Sequence, residues 1–275
     1  VNRKQLRGFV MSCIAELLLP IYVSYNEQID HALRWYIRSL ISDLDIERIK
    51  IIRPGKRFTK IQVAGKEASV ACKFLEKEFG KKRDIREISD GDTIPGRVYK
   101  SSSKNLLIDI GLEDLNNGFV YLDFNAFLEK IFKGKFKKIK IHFNEISPED
   151  LGILKNFPLY VNIYLTNSEK IQGSATVDLI NTYRRWIDSR LDILFVYGAT
   201  RSQVEKAIKE TGHLRDIKAV RRLAFLEHAI ICRWRTSAKG LIPEIGPKLG
   251  KAKLAFFSPR AIVRQKSISR RQNRL

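Results

Sequence analysis

The chain has 275 residues, and its 51 Lys and Arg against 30 Asp and Glu give a formal charge of +21 and an isoelectric point near 10.0. With 44% hydrophobic and 29% charged residues it can build packed cores, which excludes a disordered polycation, and its length points to two or three domains. An excess of this size says little about fold but favours polyanionic partners, nucleic acid first and anionic membranes second.

Arg3, Lys4 and Arg7 precede an apolar stretch from Phe9 to Val23 in the outline of a leader, but Glu16 and Pro20 interrupt it and no small-residue cleavage site follows. No run reaches the roughly 20 apolar residues of a bilayer span. The expectation is a soluble cytoplasmic protein with no membrane partner.

Leu17–Tyr25 reads as a buried strand, and Asn26 as the cap of a helix through Ile29, Leu33, Ile37, Leu40 and Leu44. Ile46–Ile52 and Phe58–Val63 read as a hairpin turning at Arg53-Pro54-Gly55-Lys56, and Lys66–Phe79 as a second helix with Val70, Phe74 and Leu75 inside. This is a small N-terminal α/β sandwich-like unit, residues 1–83, with helices over one face of a sheet. Lys81-Lys82-Arg83 reads as a polar connector.

From Gly91 the texture changes to short strands: Thr93–Tyr99, Leu106–Ile110, Phe119–Leu122, Tyr160–Leu165 and Ile171–Val177. They predict a small barrel over 91–177 with a long insertion at 123–158, in which Ser147 before Pro148 has the form of a helix cap. Asp178–Arg190 reads as an amphipathic helix. Strands at Asp192–Tyr197, Ala219–Leu223, His228–Trp234 and Lys253–Phe257 then alternate with helices at Ser202–Glu210 and Leu241–Leu249. Strand-helix-strand-strand-helix-strand is the ferredoxin-like order, assigned to residues 191–259. The fold class is therefore α+β, closed by a basic tail over 260–275.

No acid follows Glu244, while nine basic residues do, among them Arg260, Arg264, Lys266, Arg270, Arg271 and Arg274; the rest of the chain still carries +12. Such segments meet phosphate by displacing counterions. Lys133, Lys135, Lys137, Lys138 and Lys140 alternate with apolar residues in the barrel insertion, as in a strand with one charged face or an edge strand guarded by lysines. Arg97, Lys100 and Lys104 extend that field.

Chemistry-bearing patterns are sparse. Cys13, Cys72 and Cys232 are far apart, and His31, His142, His213 and His228 have no ligand spacing, so no metal is expected. There is no phosphate loop, dinucleotide fingerprint, zinc-protease motif or nucleophile elbow. Glu227-His228 near Cys232 is the most suggestive set, yet four residues along a strand hold His228 and Cys232 too far apart to bond. Asp109 and Asp123 lack evident partners, and Trp35, Trp186 and Trp234 read as core or domain contacts. No cofactor is expected, and the chain reads more as a binder than an enzyme.

Gly91-Asp92, Gly96-Arg97-Val98, Ile108-Asp109-Ile110-Gly111 and Gly118-Phe119-Val120-Tyr121-Leu122 resemble the OB-type RNA-binding domain of ribosomal protein S-one. The resemblance implies single-stranded RNA across the barrel, with Phe119 at a stacking position and Tyr121 where histidine is common; Leu107 stands where that family has its second-strand aromatic. Over nearly the whole length, Gly198-Ala199-Thr200-Arg201-Ser202, Gly212-His213, Leu226-Glu227-His228-Ala229 and Gly240-Leu241-Ile242-Pro243-Glu244-Ile245-Gly246-Pro247 resemble an archaeal family known only as domain of unknown function 2110. That family often has Thr-Asp-Ala-Pro-Gly where this chain has Thr236-Ser237-Ala238-Lys239-Gly240. The same loop is similar to the amino-acid-binding ACT domains, whose helix start would hold a carboxylate, or an RNA phosphate with help from Arg235 and Lys239.

The expectation is a non-catalytic RNA-binding protein, with ribosomal RNA as partner and a role in ribosome assembly, translation or hibernation. The alternatives are an ACT-like small-ligand regulator, using Thr236–Gly246, and a component of an RNA-processing or modifying enzyme.

Overall fold

A computed structural model of the chain describes residues 11–113, 118–134, 145–164 and 170–262. The architecture is α+β: a three-stranded sheet, a closed five-stranded barrel and a four-stranded sheet.

The N-terminal unit runs β1 (Ser12–Leu17), α1 (Glu27–Leu40), β2 (Arg48–Arg53), β3 (Thr59–Ala64) and α2 (Ala68–Phe79), with antiparallel sheet order β1-β3-β2. Asn26 caps α1 by accepting from the Ile29 N–H at 3.0 Å, and the stripe Ile29, Leu33, Tyr36 and Ile37 is buried. In α2 the buried stripe is Ala68, Ala71, Cys72, Leu75 and Phe79. Of the three residues expected inside α2, only Leu75 is; Val70 and Phe74 lie off the three-and-four spacing and are exposed.

The strand expected at 17–25 is displaced. Alternating burial belongs to Ser12–Leu17, whereas Leu18, Leu19 and Ile21 are buried in irregular backbone around Pro20. Their polar groups find partners outside any ladder. The Leu18 N–H donates to Gly80 O at 2.9 Å, the Ile21 N–H to Gly55 O at 2.7 Å, and the Thr59 hydroxyl to Leu19 O at 2.6 Å. Burial alone mimicked a strand there. The connector at 81–83 pairs on both sides, Lys81 bridging to Leu17 and Arg83 to Leu112.

The barrel comprises β4 (Thr93–Ser101), β5 (Asn105–Asp109), β6 (Phe119–Asp123), β7 (Pro158–Tyr164) and β8 (Ile171–Ala175). It closes in the order β4-β5-β6-β8-β7, with β6 and β8 parallel. Alternate residues fill it: Ile94, Val98, Leu106, Ile108, Val120, Leu122, Val161 and Ile163 are buried. α3 (Phe124–Phe132) follows β6 directly, capped by Asp123 accepting from the Ala126 N–H at 3.1 Å. Ser147 caps no helix: its N–H and hydroxyl both meet Asp150 Oδ2 at 2.9 Å, closing a turn. α4 (Val177–Ser189), capped by Thr176, leads out of the barrel.

The last sheet runs β9 (Ile193–Tyr197), α5 (Arg201–Glu210), β10 (Ile217–Arg222), β11 (Glu227–Cys232), α6 (Ala238–Ile245) and β12 (Lys253–Phe257). Its order is β10-β11-β9-β12, all antiparallel. One face packs Val196, Ile230 and Cys232 against Val204 and Ala207 of α5 and Leu241 of α6. The other face joins the barrel's own core, where Phe195, Ala229 and Phe257 meet Phe157, Tyr183 and Trp186. The approach is close: Gly152 has φ 74°, and a Cβ there would collide with the Phe195 ring.

Two polar joints tie the sheets to the barrel. Arg97 of β4 is buried, with Nη1 at 3.1 Å from Glu227 Oε2 and 3.2 Å from Asn156 O. The Tyr22 hydroxyl donates to Glu227 Oε1 at 2.6 Å, so this carboxylate joins all three units. Burial first, and the Glu227 carboxylate second, push the Tyr22 phenol well above its usual range, keeping it a donor. Arg57 holds Asp109 with two hydrogen bonds, at 2.8 and 2.9 Å, and Leu112 O at 2.7 Å.

Candidate nucleic-acid interface

Period-two alternation sends every second barrel side chain outward. On the outer wall this places Tyr99 of β4, Leu107 of β5, and Phe119 and Tyr121 of β6, with Leu107 directly across from Tyr121. The β4–β5 register shifts between Val98 and Lys100, and Tyr99 sits in that irregularity. Its ring stacks on Phe119 with centroids 4.4 Å apart and planes 21° from parallel. Tyr99 nevertheless remains 42% exposed. The Lys155 ammonium lies 4.9 Å from the Tyr99 ring, and Lys170 lies 5.2 Å from the Tyr121 ring. Flat rings with cations over them, beside exposed Lys100 and Lys104, combine a stacking surface with phosphate-attracting charge.

Phe119, Tyr121 and Lys100 thus come together on one wall. Arg97 does not join them. Tyr99 and Arg97 share an outward direction, but the space outside Arg97 is filled by Glu227, so its guanidinium is interior and committed. Sequence reasoning missed Tyr99, Lys155 and Lys170; alternation from Ile94, Gly96 and Val98 inward already placed Tyr99 outward. The aromatic absent at Leu107 is replaced in space by one from the strand beside it.

Lys133 is exposed just past α3. Lys135, Lys137 and Lys138, with Lys140, lie outside the described residues, as do Arg264, Lys266, Arg270, Arg271 and Arg274. Arg235 and Lys239 are exposed around the start of α6. Arg260 stacks 4.2 Å over Trp234 and donates from Nε to Arg190 O at 2.7 Å. Of the tryptophans expected in cores or domain contacts, Trp186 is buried, while Trp35 and Trp234 are exposed.

Donors at the start of α6 are engaged within the chain. The Ala238 N–H donates to Asp192 Oδ2 at 3.2 Å, the Gly240 N–H to the Ser237 hydroxyl at 3.4 Å, and the Leu241 N–H to Ser237 O at 3.3 Å. The protein's own groups take the donors expected to hold a carboxylate. His228 and Cys232 share a buried face, and burial pushes the Cys232 thiol up to about 12, so it holds its proton at neutral pH. Among the described residues, no group of three or more His, Cys, Asp or Glu could hold a metal ion. No helix among them is long and apolar enough to cross a membrane.

Comparison with known families matches two models, the DUF2110 N-terminal domain over residues 15–84 and the DUF2110 C-terminal domain over residues 191–256. The chain belongs to the DUF2110 family. In this DUF2110 protein the two matched segments carry the two sheets with their helices, and the barrel with its aromatic wall lies between them. No curated protein matches the chain.

Proposed function

We propose that this DUF2110 protein binds single-stranded regions of a folded RNA without catalysing a reaction, with ribosomal RNA as the partner and the ribosome as its place of work in the cytoplasm. The observation that carries this reading is the outward stack of Tyr99 on Phe119, next to Tyr121, with lysines over the rings. Tyr99 is exposed and lies on a half-buried Phe119, and bases are the ligands that both rings and lysines suit.

Topology supports the same reading. A closed barrel in the order β4-β5-β6-β8-β7, with a helix after its third strand, fits the OB type, whose second and third strands form the ligand face. We read the β10-β11-β9-β12 sheet with α5 and α6 as ferredoxin-like, and the N-terminal unit as a second copy in which residues 81–83 stand in for the last strand beside β1. Phosphate contact by Lys100, Lys133, Arg235, Lys239 and Arg260, together with the remaining basic tail, would spread affinity over a large RNA.

The test is sedimentation of lysate through gradients at low and high salt, with affinity for purified ribosomal RNA measured across salt concentrations. Co-migration with ribosomal particles at low salt and a steep log–log salt slope are expected. A protein that stays at the top at both salts refutes the ribosomal part, and a flat slope refutes the electrostatic part.

A further inference from the structure

The last sheet ends in a cluster of cations. β9 begins where β11 and β12 finish, since Ile231 and Phe257 both pair with Ile193. Arg190 stands before β9, Arg233, Trp234 and Arg235 follow β11, and Arg260 follows β12. The acids beside them are already engaged. Asp192 accepts from the Ser258 hydroxyl at 2.8 Å and the Ala238 N–H at 3.2 Å, Asp216 meets His213 Nδ1 at 2.7 Å, and Asp188 has a partner too. The arginines meet carbonyls instead: Arg260 Nε donates to Arg190 O at 2.7 Å, and Arg233 Nε to Ile217 O at 3.3 Å. A carbonyl fixes a guanidinium without neutralising it, so this end of the sheet keeps its positive charge.

Trp234 lies open among these groups. The Arg260 guanidinium sits 4.2 Å from its ring centroid and covers one face, yet the residue is 57% exposed, which leaves the opposite face to solvent. The hydrogen bond to Arg190 O anchors the guanidinium over the indole, and Arg260 Nη2 is buried with no acceptor. A ring pinned on one side and bare on the other is a platform for a further flat group.

The backbone around the ring is strained in favour of arginine. Three described residues other than glycine have positive φ, and two of them are Arg190 at 53° and Arg235 at 70°. Left-handed backbone crowds Cβ against the following carbonyl oxygen, and glycine occupies it at less cost. Arginine at both positions gives up local stability for side-chain charge, a trade that clusters at ligand sites.

We infer that this end of the sheet is a second binding site for single-stranded RNA, in which a base stacks on the open face of Trp234 and the surrounding arginines hold its flanking phosphates. The inference rests on the RNA reading above and adds a contact carried by a different unit from the barrel wall. Stacking supplies affinity that salt screens little, and the arginines supply the part that it screens. An acidic peptide matches the charge but leaves the indole face unused, and a membrane surface calls for a wider apolar face than one ring.

Fluorescence titration of the full chain with single-stranded oligoadenylate tests this. In a Trp35→Phe variant the exposed indole is Trp234, because Trp186 is buried, and oligoadenylate should quench it. Trp234→Ala should weaken oligoadenylate binding, read by anisotropy, about fivefold or more with an unchanged salt slope. Arg235→Gly should lower that slope by about one while leaving the thermal midpoint unchanged or raised. Absence of quenching at saturation, or wild-type affinity in Trp234→Ala, overturns the site; an Arg235→Gly protein that melts lower overturns the trade of stability for charge. Quenching by polyglutamate or by phosphatidylglycerol vesicles as strong as that by oligoadenylate overturns RNA as the occupant. The two RNA contacts fail separately. If Tyr99→Ala with Phe119→Ala keeps wild-type affinity while Trp234→Ala loses it, the barrel wall fails and this site stands; the converse result fails this site and leaves the wall.

Discussion

Glu227→Ala is the most informative single perturbation of the frame that holds the candidate interface. The Arg97 and Glu227 side chains are only 8% and 1% exposed, and the carboxylate meets Arg97 at 3.1 Å and the Tyr22 hydroxyl at 2.6 Å. Removing it leaves a guanidinium buried with only the Asn156 and Leu18 carbonyls, at 3.2 and 3.4 Å, as acceptors. Breaking a buried pair in this way costs about 3–5 kcal/mol; the two carbonyls offset part of this, so we expect about 3 kcal/mol. Against a typical domain stability of about 5–15 kcal/mol this is a large loss. At a urea slope of about 3 kcal/mol per molar it moves the unfolding midpoint down by about 1 M. Urea unfolding followed by circular dichroism measures it. Arg97→Met combined with Glu227→Met should recover most of the loss, since an apolar pair of similar volume avoids stranding a charge. A loss under about 1 kcal/mol, or a double variant less stable than either single variant, would refute the reasoning.

Four further outcomes follow from the same structure. Tyr99→Ala and Phe119→Ala should each weaken single-stranded RNA binding by about 1–3 kcal/mol with little change in its salt slope; equal affinity in filter binding removes the stacking role. Lys155→Gln and Lys170→Gln should instead lower the salt slope, by about one for each phosphate no longer neutralised; an unchanged slope removes those two lysines from the interface. His228, depressed to about 3 in the fold by burial, Arg222 and Arg201, stays neutral where the unfolded chain takes up a proton near about 6.5. Its contribution is therefore fully present above about pH 6.5 and is lost as pH falls, at up to about 1.4 kcal/mol per unit. His213, raised chiefly by its hydrogen bond to Asp216 and also by Glu244, acts oppositely: its contribution is present at low pH and fades as pH rises through its folded value. His228→Gln should flatten the acid side of the stability profile, and identical profiles would sink the assignment. Finally, Gly152→Ala places a methyl group in the Phe195 ring at φ 74°, and should destabilise by about 1–3 kcal/mol in thermal unfolding; a wild-type midpoint would refute the close approach.

Elements with local signals were legible in the sequence. Asn26 before Ile29, Leu33 and Ile37 fixed the start and buried face of α1, and alternation located all five barrel strands. Burial without pairing was not legible: Leu18, Leu19 and Ile21 look like a strand because they are apolar, and only Gly55, Thr59 and Gly80, far along the chain, show where their backbone groups go. The wall of the barrel was half legible. Phe119 and Tyr121 carry a family resemblance, whereas Tyr99 acquires its meaning from a ring on a strand two places away in the barrel. Arg97 shows the opposite failure. Asp90 and Asp92 stand nearer in sequence, yet the carboxylate that claims it stands 130 positions later.

The core shared by the barrel and the last sheet also bears on how the chain can be made. Its buried members run from Ile88 to Ile262, and Phe257 of the final strand lies against Tyr183 at a ring distance of 5.7 Å. During synthesis, at about 5–20 residues per second, the barrel strands emerge well before the sheet that seals their flank. Until Phe257 is delivered, Tyr183 lacks its ring partner from β12. The N-terminal core likewise includes Phe225 and Leu226 from the β10–β11 turn. Each early unit therefore completes its native core only when residues of the β9–β12 sheet are in place.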